Sequence, residues 1–308
     1  MRFISSLLKF KFKAVPAVLA ALIISVFQTP IHAQDDDVIS VDSSLVILNA
    51  TIRDENGAPR FGLKQSQFEI LEDGKKQNIA FFETAEAPFA AVILIDTSGS
   101  MEERVSLARS ATIKFLDGIR VEDNVAVYNF DSKVSLVQDF SNLRDLTFRA
   151  FDLKAGGSTV LNDAIFEAAK LLEKRPEKRR AIVVLSDGAD TKSGHSAEKA
   201  LNEALGINAM IYTVDMSALS MGGNQRMQNQ GVLKKLASRS GGIFVKTPGG
   251  AELREAFENI VKELGVQYTL GYYPTNDKKD GKWREIELNV ADKKLDVRTR
   301  KGYNAPKN

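Results

Sequence analysis

Phe89-Ala-Ala-Val-Ile-Leu-Ile-Asp-Thr-Ser-Gly-Ser100 is the stretch on which the fold turns. Phe89 to Ile95 is apolar without alternation, the pattern of a strand buried on both faces of a parallel sheet. The polar run Asp96-Thr97-Ser98-Gly99-Ser100 ends it and leads straight into a helical pattern. In open α/β folds the carboxyl ends of the strands border the crevice that holds ligands, so Asp96 is placed to reach one.

Two later segments meet the same specification. Gly156-Gly-Ser-Thr159 is a glycine-rich turn that opens a helix, and Ser186-Asp187-Gly188 closes the apolar run Ala181–Ser186. A doubly wound sheet brings all three to one edge, near the point where strand order reverses. Asp96 and Asp187 then supply carboxylates, while Ser98, Ser100 and Thr159 supply hydroxyls. An all-oxygen set favours Mg²⁺ or Mn²⁺ over zinc. With so few carboxylates the ion stays electron-poor and keeps an exchangeable position, which an Asp or Glu of another molecule can fill. Each segment also has a plainer reading. Ser100 with Glu103 fits a capping box, the glycines fit a helix-opening turn, and Asp187-Gly188 fits a turn after a strand. Their joint occurrence at strand ends and helix starts favours the cation.

Residues 89 to 263 alternate apolar strands with helical patterns, as a parallel sheet covered on both faces requires. Strands are predicted at Phe89–Ile95, Asn124–Phe130, Ala181–Ser186, Ile207–Val214 and Ile243–Lys246, with an edge strand at Val134–Val137. Val105, Ala108, Thr112 and Phe115 form one helical stripe; Leu161, Ile165, Ala168, Ala169 and Leu172 form another, ended by Arg175-Pro176. Further helices are predicted at Ser196–Leu205, Val232–Ser240 and Ala251–Leu264. Met216 to Gln230, rich in Gly, Met, Asn and Gln, reads as a rim loop. The flanks carry short alternating runs with Asn56-Gly57, Asp73-Gly74 and Asp280-Gly281 turns, a β signature. The expectation is that 264–308 pairs with 38–88 of the amino-terminal β segment (34–88) into one small β-sandwich, with the α/β segment, 89–263, inserted between them.

The chain has 308 residues, 44% apolar and 27% charged, an ordinary globular composition with room for about two domains. Residues 1–33 differ in kind: Arg2, Lys9, Lys11 and Lys13, then an apolar run, then Ile31-His32-Ala33, the pattern of a secretory signal peptide. An uncleaved anchor is the rival reading, since residues 14 to 33 carry no charge. Removing the segment changes the net charge from +2 to −2 (38 basic, 40 acidic), so the basic balance belongs to the precursor. Nothing in it suggests a nucleic-acid surface. The sequence has no cysteine, which excludes disulfides, thiolate metal sites and lipid-modified cysteine.

The middle segment, about 175 residues, resembles the von Willebrand factor type A domain. That family's metal-ion-dependent adhesion site is written Asp-x-Ser-x-Ser, then Thr, then Asp. Here it reads Asp96, Ser98, Ser100, Thr159 and Asp187. The family's Gly-Gly-Thr loop is Gly156-Gly-Ser-Thr159 in this chain. Alignment on Leu161-Asn-Asp-Ala-Ile165 selects Thr159, with Ser158 the alternative. The flanks resemble a bacterial subgroup of secreted proteins with this domain, on Arg53-Asp-Glu-Asn-Gly57, Phe68-Glu-Ile-Leu-Glu-Asp-Gly74, Gln267-Tyr-Thr-Leu-Gly-Tyr-Tyr-Pro274 and Arg300-Lys-Gly-Tyr303. The resemblance implies a doubly wound, Rossmann-like α/β fold that holds Mg²⁺ at its top face and binds a protein partner.

The expectation is therefore an exported, periplasmic or extracellular, adhesion or scaffold module that binds a protein presenting Asp or Glu. It is expected to take no nucleic acid or small-molecule substrate, and to touch membrane only through an uncleaved signal segment. The alternative is a Mg²⁺-dependent phosphatase or nuclease, which needs a positioned base or charge clamp near the metal. Beyond residue 33 the one histidine is His195, read as a solvated loop residue. Asp190 and Asp215 read as solvated turn carboxylates, and Lys174 to Arg180 as a solvated basic turn. Tyr268, Tyr272, Tyr273 and Trp283 read as sheet packing.

Overall fold

A computed structural model describes residues 45–84, 87–145, 150, 152–218, 222–246 and 250–307. The expected signal segment 1–33 and the acidic run Asp35-Asp36-Asp37 lie outside the described residues. Among those described, no helix is long and apolar enough to cross a membrane.

A six-stranded sheet organises the middle of the chain. β5 (Phe89–Asp96) lies between β6 (Asn124–Phe130) and β8 (Arg179–Ser186), both parallel to it. The order continues outward through β9 (Ala209–Asp215) to β10 (Phe244–Lys246) on one side, and to the antiparallel edge strand β7 (Val134–Ser141) on the other. Strand order thus reverses at β5, and Ile95 sits beside Leu185. This register makes Asp96 and Ser186 neighbours at the carboxyl edge.

The apolar run of β5 supplies both faces of the sheet, as the absence of alternation predicts. Phe89, Ala91, Ile93 and Ile95 join a core with α1 (Val105–Asp117) and α5 (Gly250–Leu264). Ala90, Val92 and Leu94 join a second core with α2 (Leu161–Glu173), α3 (Ala197–Gly206) and Leu233 and Leu236 of α4 (Gly223–Ser240). The two predicted helical stripes are the buried faces of α1 and α2. Pro176 follows the end of α2, and Gly241, in the left-handed region at φ +85°, ends α4.

α4 corrects the expectation of a rim loop over Met216–Gln230, because helix begins at Gly223, nine residues before Val232. Residues 219–221 lie outside the described set. The first half of α4 has no apolar stripe; polar bonds seat it instead. Asn229 and Gln230 are buried, and Gln230 donates Nε2 to Asp215 at 2.7 Å. Periodicity of apolar residues cannot register a face of that kind.

The flanks form two four-stranded sheets, each drawing on both ends of the chain. One has the order β13 (Asp296–Arg298), β1 (Val46–Arg53), β11 (Tyr268–Tyr272), β4 (Ile79–Glu83). The other runs β14 (Gly302–Asn304), β12 (Trp283–Val290), β2 (Phe68–Glu72), β3 (Lys75–Gln77). All their pairings are antiparallel. Leu48, Ile52, Ile70, Tyr268, Leu270, Tyr272, Ile286 and Leu288 share the core between them. Tyr268 and Tyr272 are therefore sheet packing, as predicted, while Tyr273 is exposed.

The basic stretch before β8 is not a solvated turn. Arg179 is fully buried; Nε donates to Thr269 Oγ1 at 3.2 Å and NH2 to the Thr84 carbonyl at 2.9 Å. Burial pushes its guanidinium down to about 10. It joins β8 to β11 and to the crossing from sandwich to central sheet, with partners about ninety residues away in sequence.

Candidate metal centre

β5 carries Asp96 to the carboxyl edge, where its side chain is fully buried. The next backbone turn folds onto it: Ser98 N–H donates to Asp96 Oδ1 at 2.9 Å. From the adjacent strand, Ser186 donates its hydroxyl to Oδ2 at 2.6 Å. Ser98 and Ser100 stand with their Oγ atoms 3.2 Å apart. Ser100 is exposed in a short 3₁₀ turn, Gly99–Met101, and α1 has no side-chain cap, so the capping-box reading of Ser100 does not hold.

The glycine-rich segment is bonded to this turn. Gly156 N–H donates to the Thr97 carbonyl at 2.9 Å, and Gly99 N–H to the Gly157 carbonyl at 3.3 Å. Gly157 stands at φ +77°, so the backbone favours glycine, and a β-carbon there would also have to displace Ser132 Oγ, 2.5 Å away. Thr159, nearly buried, donates its N–H to Thr191 Oγ1 at 2.9 Å and accepts at its carbonyl from Thr191 N–H at 2.9 Å. The loop that follows Asp187 is thereby tied to the loop that carries Thr159.

Asp187 is buried, and its Oδ1 accepts from Ala189 N–H at 2.9 Å. Its Oδ2 is buried with no hydrogen-bond partner. Burial pushes the Asp96 carboxyl up to about 6, against the Ser186 and Ser98 hydrogen bonds that lower it, and the charge of Asp187 adds to the rise. Two desolvated carboxylates within electrostatic reach, one with an orphaned oxygen, form an anionic hole that a cation would satisfy. Among the described residues no group of three or more His, Asp or Glu side chains could hold a metal ion. A cation at this point would thus rest on two carboxylates and neighbouring hydroxyls, a donor set that suits a hard ion. The residues present fit Mg²⁺.

The other polar residues of this edge are occupied in ways the sequence did not reveal. Asp190 Oδ2 accepts from Asn162 N–H at 2.8 Å and Ser193 Oγ at 2.6 Å, which fastens the loop to the start of α2. Asp215 accepts from Ser217 and from Gln230. Asp215 is buried and so is not a solvated turn carboxylate, whereas Asp190 is exposed, as expected, though it accepts these bonds. His195 is not a solvated loop residue: Nδ1 lies 2.7 Å from Asp163 Oδ1, and the ring stacks on Phe166 at 4.0 Å between centroids. Burial alone pushes Asp163 up, but the N–H groups of Gly194 and His195 and the His195 ring outweigh it and hold the carboxyl below its ordinary value. Ser186, Ser132 and Thr191 were the missed residues; only Ser186, next to Asp187, had a trace in the motif.

The von Willebrand factor type A domain model matches residues 91–189, a span that holds all five candidate ligands. The chain is 24% identical over 214 residues to the inter-alpha-trypsin inhibitor heavy chain H4 of Bos taurus, covering 61% of this chain and 22% of that one. It thus spans about a fifth of that relative's length. Among solved structures it is similar to a von Willebrand factor type A protein from Catenulispora acidiphila, with TM-score 0.48, 14% identity, and 86% of this chain and 74% of that one covered. The vWF domain of the type V pili tip protein Mfa5 from Porphyromonas gingivalis gives TM-score 0.47 and 15% identity, over 57% and 95% of the two chains.

Proposed function

We propose, from the match of residues 91–189 to the von Willebrand factor type A domain model, that the chain is an exported protein-binding module, periplasmic or extracellular, that captures a partner's Asp or Glu through Mg²⁺ or Mn²⁺. Asp96, Ser98, Ser100, Thr159 and Asp187 would hold the ion. The observation that carries this reading is the buried, unpartnered Asp187 Oδ2 beside a buried Asp96. A bound Mg²⁺ supplies an electron-poor centre at which a carboxylate oxygen can replace water.

The chain's own residues make that selective. Ser186 and Ser98 orient Asp96, so its lone pairs are directed before any ion arrives. The hydroxyls contribute oxygen without charge, which leaves the ion with unneutralised positive charge for a partner's carboxylate. Ser100, exposed at the rim, borders the side from which a partner would approach. The hydrolase alternative gains no support, since Asp163, Asp190 and Asp215 are each held by donors in structural roles.

The test is water-proton relaxation of the Mn²⁺-loaded protein titrated with acetate. A fall in relaxation enhancement as acetate displaces bound water is expected. An unchanged enhancement at saturating acetate would remove the carboxylate-capture reading.

A further inference from the structure

A cavity of about 330 Å³ opens where the end of α3 meets the sandwich, at the amino edge of the central sheet and thus opposite Asp96. Leu45, Val46, Pro274, Tyr303 and Pro306 give it apolar walls, and Arg300 lines it. Arg300 is only 6% exposed. One of its N–H groups donates to the Leu205 carbonyl in the last turn of α3, at 2.7 Å. Its Nε is buried with no acceptor, and no carboxylate of the described residues forms an ion pair with it. Glu72 acts on it through space, but Glu72 Oε2 already accepts from the hydroxyls of Tyr272, at 2.6 Å, and Tyr303, at 2.9 Å.

Closing a helix end needs one donor, whereas a guanidinium carries five. Desolvating Nε without an acceptor is unfavourable, and burial pushes Arg300 down to about 10 even though Tyr272, Tyr303 and Glu72 pull the other way. Lys278 and Lys279 stand at the cavity with Asp277, so its lining is positive on balance. The Leu205 carbonyl, covered by Arg300, does not face an incoming anion bare.

We propose that this cavity binds a small organic carboxylate, with its anionic group on Arg300 and its aliphatic or aromatic body against Tyr303, Pro274 and Pro306. Planar carboxylate suits the guanidinium fork. The volume lies at the small end of ligand pockets, about 300 to 1,000 Å³, and so limits the body to roughly one ring.

The experiment is calorimetric titration of benzoate, benzamide and inorganic phosphate into the whole protein in EDTA, which keeps the result independent of the cation site. Wild type, Arg300→Gln and Gly206→Leu are compared, each checked for thermal unfolding. Gly206 lines the cavity, and a β-carbon there meets nothing within 4 Å, so the position accepts a side chain at its base and leucine is chosen to narrow the cavity. Saturable benzoate binding is expected, weakened at least about tenfold by removal of the charge in benzamide and by either substitution. No saturation at millimolar benzoate would overturn the proposal. So would equal binding of benzamide or phosphate, or a benzoate affinity unchanged in Gly206→Leu, which decides the matter even if Arg300→Gln does not fold.

Discussion

Asp96 carries the largest electrostatic tension of the cation site. Its carboxyl stands at about 6 in the folded protein against an ordinary 3.8, so between those values the folded state holds more proton than the unfolded one. Stability linked to Asp96 is therefore fully present below about 4 and is lost as pH rises through about 6, by on the order of 3 kcal/mol. Asp96→Asn lacks this titration. In EDTA, urea unfolding should show the variant gaining on wild type between pH 4 and 6 and then staying level; a constant difference across that range would contradict the assignment. Mg²⁺ at pH 7 should restore wild type and leave the variant unmoved. Asp96, Ser98 and Asp187 were legible because a strand end and its turn are local in sequence. Asp163, Ser132 and Arg179 were not, because each takes its meaning from a partner at least 26 residues away.

At the scale of elements, strands and helices followed from apolar runs and stripes, and α4 shows where that logic stops. Its amino-terminal half is seated by amides, and its backbone presses on the site: a β-carbon on Gly188, at φ +82°, would meet the Asn229 carbonyl oxygen at 2.6 Å. Gly188→Ala should therefore displace α4 or the Asp187 turn and destabilise the protein by about 1–3 kcal/mol, measured by urea unfolding. Affinity for Mg²⁺ should fall with it. A neutral substitution would mean that α4 yields without cost. Gln230→Ala, which removes a donor from buried Asp215, should cost about 1–3 kcal/mol without changing the metal ligands.

Across the whole molecule, the flanks were legible as a sandwich from their turns and alternation, but not the device that joins it to the central sheet. Glu263, near the end of α5, is buried and pairs with Arg53 of β1 and Arg298 of β13, while Tyr212 of β9 donates its hydroxyl to it at 2.7 Å. Two strands from opposite ends of the chain and one from the central sheet converge on one carboxylate, a juxtaposition no local pattern encodes. Glu263→Gln should cost about 3 kcal/mol, since it leaves two arginines facing a neutral amide. Hydrogen-exchange protection of the β11 amides, which reports the sandwich, and of the β5 amides, which reports the central sheet, should be lost together in urea in wild type and separately in the variant; coincidence in both would show that apolar packing alone couples the two parts. Partner capture depends on the cation site itself. Calorimetric titration of Mg²⁺ and Mn²⁺ into residues 34 to 308, beside Asp96→Ala, tests it most directly. Binding near one equivalent that vanishes in the variant is expected; heat changes absent from wild type, or retained in Asp96→Ala, would contradict the cation site.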